Sequence, residues 1–424
     1  METIFALSSG PPPAGIAVVR INGPAAGAAL AALAGSLPDP RRARLARLRD
    51  GQGALLDEAL VLWFPGPNTA TGEDLAELHL HGGRAVVAAV EQALGALPGL
   101  RRAEAGEFTR RAFSNGRMDL AEAEGLADLL SAETELQRQV AVAMLGGLLS
   151  RQVEGWRDRL LLLSARLEAA LDFDDEDDVA GLPPSFSAEI RALELDLADA
   201  LAAPSAEALK EGFRVALAGP PNAGKSTLFN ALVESEAAIT APLAGTTRDV
   251  LVRNVALGGI AFSFIDMAGL RDEAADEVEA IGISRAGQEI ARADLVLWLG
   301  PERAGPAGSW EVEAQCDRAA GSDKHAPQFR LSAMTGEGME ALRHALVEEA
   351  RKAAPRPGQA ALNRRQRDLI AMGAADLAAA AQVQDPLLLA EHLRNCRVAF
   401  DRLVGRTSTE DVLDALFGRF CIGK

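Results

Sequence analysis

Phe213-Arg-Val-Ala-Leu-Ala-Gly219-Pro-Pro-Asn222-Ala-Gly224-Lys225-Ser226-Thr227 decides the fold of the centre of this chain. Apolar residues of strand propensity lead in. Gly219 to Ser226 then supplies Gly, four spacers, Gly, Lys and Ser, and Leu228-Phe-Asn-Ala-Leu-Val continues at helical spacing. Glycines let the backbone curl until successive N–H groups face a phosphate at the positive end of the helix. Lys225 then reaches the β- and γ-phosphates, while the Ser226 hydroxyl ligates Mg²⁺. The bland alternative, a Gly-Pro turn, loses because the full pattern sits at a strand–helix junction. The stretch predicts a nucleoside triphosphate site in an α/β P-loop domain, with contacts from Asn222, Ala223, Gly224, Lys225, Ser226 and Thr227.

Downstream segments separate an ATPase from a GTPase. Ile260-Ala-Phe-Ser-Phe-Ile-Asp266 alternates and ends in an acid, as a strand delivering a carboxylate toward Mg²⁺ should. It runs into Asp266-Met267-Ala-Gly269, a DxxG in which the Gly269 amide meets the γ-phosphate and Met267 replaces the usual Thr. Between the motifs, Gly245-Thr246-Thr247-Arg248-Asp249 is placed as a switch loop whose Thr247 would meet Mg²⁺. Their order and spacing predict a GTPase domain. At the base-recognition position, Ala314-Gln315-Cys316-Asp317 stands where Asn-Lys-x-Asp is usual. Asp317 alone remains to accept from guanine N1 and N2; adenine would leave that carboxylate unpaired. The missing Asn and Lys predict a less firmly held loop. Ser332-Ala333-Met334 follows where Ser-Ala-Lys is usual, and the short connection after Asp294-Leu-Val-Leu-Trp-Leu-Gly300 predicts a trimmed helix.

The 424 residues are enough for two or three domains, and 48% hydrophobic content is ample for packed cores. Alanine and leucine richness without tyrosine favours helices outside the P-loop segment. The three cysteines, Cys316, Cys396 and Cys421, show no metal-ligand spacing, which fits a reduced cytoplasmic setting. No leader pattern and no run of about 18 apolar residues occurs, so neither secretion nor a membrane partner is expected. A net charge of −17 argues against a chain that coats nucleic acid indiscriminately. Arginines cluster at 41–49, at Arg101, Arg102, Arg110 and Arg111, and at Arg364, Arg365 and Arg367; such runs read as solvated helix faces.

Residues 1–116 mix short apolar strands with helices, as in an α+β domain. Residues 117–210 are helical, interrupted by Asp172-Phe-Asp-Asp-Glu-Asp-Asp178, a solvated loop rather than a cation site. Residues 211–353 form the GTPase domain, and Ala353-Ala-Pro-Arg-Pro-Gly358 reads as a linker. Helices return over 359–424. The expected architecture is an α+β N-terminal domain and an all-α helical domain in two halves, with an inserted α/β P-loop GTPase domain.

Gly106-Glu-Phe-Thr-Arg-Arg-Ala-Phe-Ser-Asn-Gly-Arg-Met-Asp-Leu120, the ending Phe420-Cys421-Ile-Gly-Lys424, His79-Leu-His-Gly-Gly83 and the opening Thr3-Ile-Phe-Ala-Leu7 occur in one chain in this order. Together with the GTPase motifs they resemble the MnmE (TrmE) family of bacterial tRNA modification GTPases over essentially the whole length. The resemblance implies a homodimer joined through N-terminal domains and a FAD-dependent partner subunit. It implies installation of an aminomethyl or carboxymethylaminomethyl group at C5 of the wobble uridine of tRNA. A tetrahydrofolate derivative (5,10-methylene or 5-formyl) would supply the carbon, glycine or ammonium the nitrogen, and K⁺-stimulated GTP hydrolysis the conformational drive.

The same resemblance assigns residues. Asn222 matches a K⁺ ligand, with backbone carbonyls near Ala241, Leu243 and Thr246 completing the site; a cation there does the work of an arginine finger. A turn-forming Asn is the plain alternative. Glu279, anchored on the following Ile281-Gly-Ile283 and with Asp276 and Glu277 as neighbouring acids that could be confused with it, matches the glutamate that orients the attacking water. On residues alone it would be a surface acid. Folate contacts map to Arg20, Glu77, Arg117 and Lys424, with Arg117 where lysine is common; each would otherwise read as an exposed charge. Cys421 reads as packed more readily than as a nucleophile. His79 and His81 flank Leu80, are expected to point oppositely, and read as structural. Two rivals stay open: a regulatory GTPase switch in ribosome or partner assembly, and a folate-binding scaffold whose GTPase has decayed.

Overall fold

The computed structural model describes residues 2–172, 182–183, 185–234, 237–238, 251–267, 287–318, 324–355 and 358–424. Ala241, Leu243, Gly245, Thr246, Thr247, Gly269, Glu279 and residues 173–178 of the acidic run lie outside the described residues. The chain divides into two compact units. One comprises Met1–Ala127, Leu149–Arg157 and Arg397–Lys424; the other comprises Asp128–Leu148 and Asp158–Cys396.

In the first unit, six strands form a sheet ordered β3-β4-β5-β2-β1-β6. They are β1 (Thr3–Leu7), β2 (Ile16–Asn22), β3 (Arg44–Arg49), β4 (Leu55–Phe64), β5 (Leu75–His81) and β6 (Leu100–Arg102). Alternation sends Ala17, Val19, Ile21, Val61, Leu78 and Leu80 to one face, where helices α1 (Ala26–Ala34) and α2 (Arg84–Gly95) cover them. Arg20, Glu77 and His79 fall on the other face. The expectation that residues 41–49 form a solvated helix face is wrong. Arg44–Arg49 is strand β3, paired antiparallel to β4. A charge run carries no period of its own, and the partner strand decides its conformation; charge on an edge strand also discourages further pairing. Arg101 and Arg102 likewise lie in β6, whereas Arg110 and Arg111 lie in helix α3 (Glu107–Ser114) and Arg364–Ala380 is a helix.

The 106–120 signature is explained by packing. Gly106 holds φ +68°, and a Cβ built there would stand 2.2 Å from the Phe417 carbonyl oxygen. The helices α3 and Glu410–Phe417 can therefore meet only through a glycine, with the Phe113 and Phe417 rings 6.0 Å apart. Glu107 then receives Arg101 at 2.8 and 2.6 Å and Arg111 at 3.2 Å. Burial works to raise the Glu107 carboxyl, but these bonds and the Glu104 N–H outweigh it and hold the group below the usual carboxylate range. Arg111 also reaches Glu73 at 3.0 Å, and Arg110 bonds Asp414 at 2.9 Å. Gly106→Ala is expected to cost about 3 kcal/mol of stability, from backbone overlap and left-handed strain together. Chemical denaturation checks this, and an unshifted midpoint would contradict it.

In the second unit, seven strands are ordered β13-β12-β11-β7-β10-β9-β8. They are β7 (Phe213–Ala218), β8 (Ala237–Ala238), β9 (Leu251–Leu257), β10 (Ile260–Asp266), β11 (Leu295–Trp298), β12 (Trp310–Glu313) and β13 (Phe329–Arg330). The central β7 is parallel to β10 and β11, so the β7 and β10 carboxyl ends open at one edge. Phe262 and Phe264 stack within the core that Leu228 and Phe229 of the helix Lys225–Glu234 also enter. As expected, the connection after β11 carries turns and no helix, with the Trp298 indole N–H donating to the Pro301 carbonyl at 2.8 Å.

Helix Glu135–Leu145 opens on a capping box between Thr134 and Gln137. Its Leu136 N–H donates to the Gly259 carbonyl at 3.0 Å, in the turn between β9 and β10. Helix Phe186–Ala202 ends where Arg367 donates to the Leu201 and Ala203 carbonyls at 2.7 and 2.9 Å, satisfying groups that a helix terminus leaves open. Among the described residues no helix is long and apolar enough to cross a membrane.

Candidate functional site

The loop after β7 wraps the amino end of the helix that begins at Lys225. Asn222 adopts φ +64°, the left-handed conformation that Asn tolerates better than most side chains. Lys225 is buried, its Nζ donating to the Pro220 carbonyl at 2.8 Å. The Ser226 hydroxyl donates to Asp266 Oδ2 at 2.7 Å. Register explains this meeting: Asp266 sits opposite Leu217, at the carboxyl end of the strand beside the loop. Hydroxyl and carboxylate oxygens so placed suit a hard divalent cation.

The eroded base-recognition loop is held at both ends. Gln315 forms an isolated bridge with Ser332, and the Cys316 N–H donates to the Leu331 carbonyl at 3.2 Å. The Gln315 amide donates to the Asn222 carbonyl at 3.3 Å. The loop is therefore tied in spite of lacking Asn and Lys. The Ser332 hydroxyl and Asp317's own backbone N–H hold the Asp317 carboxyl below the usual carboxylate range. It is thus ionised at neutral pH and is lost as an acceptor only when pH falls through that lowered value. Ala333 packs against the sheet core, and Met334 is 79% exposed. Beside the phosphate loop a cavity of about 350 Å³ is lined by Pro221, Asn222, Gly300, Gln315, Arg318 and Lys324.

In the first unit, Arg20 and Glu77 stand opposite one another in register. Arg20 donates to Glu77 Oε1 at 3.2 and 3.0 Å, and His79 Nε2 lies 3.3 Å from Oε2. The expectation that His79 and His81 point oppositely is wrong, because residues two apart on a strand share a face. They still do not form a joint metal site: His81 Nδ1 is 2.8 Å from Asp57 instead. No cluster of three His, Cys, Asp or Glu suited to a metal occurs among the described residues.

Arg117 is exposed, its stem beside Gly72. Among the described residues no hydrogen bond or ion pair joins the Arg117 or Lys424 side chain to the Arg20–Glu77 pair. The tail itself is docked. Ile422 bridges Ala105, and Gly423, at φ +97°, lies where a Cβ would stand 2.0 Å from the Leu7 carbonyl oxygen. Cys421 is exposed, which overturns its reading as a packed residue. Two participants escaped the sequence reading: His79, signalled by sharing the Glu77 face, and Gln315, which looked like a lost lysine.

A family profile described as the MnmE helical domain matches residues 120–421, and one described as the GTP-binding protein TrmE N-terminus matches residues 3–117. The chain is 64% identical to a tRNA modification GTPase MnmE of Novosphingobium aromaticivorans, covering 100% of both chains. It is 62% identical to a tRNA modification GTPase MnmE of Erythrobacter litoralis, again over 100% of both. Among solved structures, the G domain of the T. maritima FeoB iron transporter is 28% identical, covering 32% of this chain and 98% of that one at a TM-score of 0.23. Full-length identity at this level, across both profiles, places this chain in the tRNA modification GTPase MnmE family.

Proposed function

We propose that this GTPase hydrolyses GTP with K⁺ stimulation and, with a FAD-dependent partner subunit, installs the (carboxymethyl)aminomethyl group at C5 of the wobble uridine of tRNA. The observation that carries the nucleotide part is the Ser226–Asp266 pair, 2.7 Å apart beneath the phosphate loop. Ser226 would hold Mg²⁺, with Asp266 accepting from its shell and Thr247 completing it. Lys225 would leave the Pro220 carbonyl for the β- and γ-phosphates, stabilising charge that develops on the transferred group. Asn222, with carbonyls at Ala241, Leu243 and Thr246, would hold K⁺, which would supply positive charge to offset the negative charge developing on the transferred phosphate. Glu279 would orient the attacking water, and Gly245 and Gly269 would contact nucleotide. Asp317, Ser332 and Ala333 would receive guanine.

The second site rests on the Arg20–Glu77 pair. Glu77 retains lone pairs for pterin N–H donors, while Arg117 and Lys424 would meet the glutamyl carboxylates of a tetrahydrofolate derivative. We assign residues 1–116 to folate binding and homodimerisation, 117–210 and 359–424 to the helical domain and 211–353 to the GTPase domain, in a cytoplasmic protein. GTP turnover in KCl is expected to exceed that in NaCl at equal ionic strength by at least about tenfold, the scale of one well-placed charge. Equal rates would remove the K⁺ mechanism. Mass spectrometry of wobble uridines from cells lacking this protein tests the modification itself, and unchanged uridines would defeat it in favour of a regulatory switch.

A further inference from the structure

The base-recognition loop lacks the lysine usual at its second position, yet it is not loose. Gln315 donates its side-chain amide to the Asn222 carbonyl at 3.3 Å. Its side chain also lies over Gly224, where an added Cβ would stand 3.1 Å from Nε2 and 3.4 Å from Cγ. The same residue bridges Ser332 through its backbone. Three segments thus converge on one side chain and its peptide: the phosphate loop, the base loop and the loop after β13. We propose that Gln315 is a positioning residue that clamps the base loop to the phosphate loop, so that a neutral amide bond governs how long guanine nucleotide stays bound.

The chemistry gives the clamp a defined strength. The Asn222 carbonyl accepts at an exposed position, and Gln315 offers it an uncharged donor. A bond of that kind is worth less than one from an ammonium, whose charge strengthens and shortens it. The clamp is therefore weaker than a lysine would make it, and nucleotide exchange is correspondingly fast. Gln315 touches the loop that holds the nucleotide, and base identity is left to Asp317. Altering Gln315 should change residence time for every base alike, while altering Asp317 should change which base is preferred. The proposal rests on the reading that residues 314–317 receive the base, and the experiment separates the two.

Release of ribose-labelled fluorescent GDP, and of the matching inosine diphosphate, is measured by stopped flow on the full chain. Gln315→Met keeps the side-chain length over Gly224 but removes the donor; Gln315→Ala removes both; Gln315→Lys restores a charged donor. The clamp predicts that the Met and Ala variants release GDP and the inosine nucleotide about fivefold faster, with an unchanged ratio between them. It predicts that the Lys variant releases both more slowly than the unsubstituted chain. Wild-type release from Gln315→Met would assign Gln315 to packing and overturn the clamp, as would faster release from Gln315→Lys. Asp317→Asn should shift preference from guanine to xanthine nucleotides. Retained guanine preference would remove the base-loop reading, and the clamp with it, independently of the Gln315 results.

Discussion

Lys225→Ala should lower GTP hydrolysis by about a thousandfold, the effect of deleting a preorganised donor aimed at developing charge. At about 1.4 kcal/mol per decade this corresponds to roughly 4 kcal/mol of transition-state stabilisation. The structure makes so large an effect reasonable. Lys225 is 7% exposed, so its ammonium works where water screens little. Its Nζ already lies inside the loop, donating to the Pro220 carbonyl that phosphate oxygens would replace. No other cation of the loop stands ready to substitute, since its remaining residues from Gly219 to Thr227 are uncharged. Phosphate release from GTP in KCl is the measurement, with a melting curve to show an intact fold. Activity within tenfold of the unsubstituted chain would contradict the assignment.

The second large effect concerns the other end of the chain. Gly423→Ala should leave GTP turnover unchanged while lowering formation of modified wobble uridine at least about tenfold, the loss expected when reacting groups are misplaced by an ångström or so. The added Cβ would meet the Leu7 carbonyl oxygen at 2.0 Å, so the tail must leave β1. Cys421 and Lys424 would leave with it, and neither contributes to the P-loop domain. The paired measurement is mass spectrometry of tRNA from cells carrying the variant, beside GTPase assays on the purified chain. Full modification by a displaced tail would exclude any role for Cys421 or Lys424 in the chemistry.

Legibility in the sequence followed locality. The phosphate loop and β10 could be read because each depends on residues within a few positions. Arg44–Arg49 could not, since its conformation comes from β4 rather than from its own charges. The pairing of Arg20 with Glu77 required the β2–β5 register, set by two hydrophobic faces that match only when the strands are aligned. The docking of Gly423 on Leu7 joins opposite ends of the chain, and nothing in a four-residue tail encodes its receptor. Gln315 was legible as a departure from a motif but not as a replacement, because its partner lies 93 positions away.

The hairpin of β9 and β10 has a mechanical meaning. Asp266 forms one end, paired with Leu251, and the turn at Gly258–Gly259 forms the other. Seven paired residues make a stiff ribbon of about 20 Å. The Ser226 hydroxyl grips one tip and the Leu136 amide the other. A shift of the Asp266 carboxylate along this ribbon is therefore expected to reach the foot of the helix Glu135–Leu145. Protection of the Leu136 amide from hydrogen exchange is expected to change when guanine nucleotide binds, and an unchanged exchange rate would contradict this coupling.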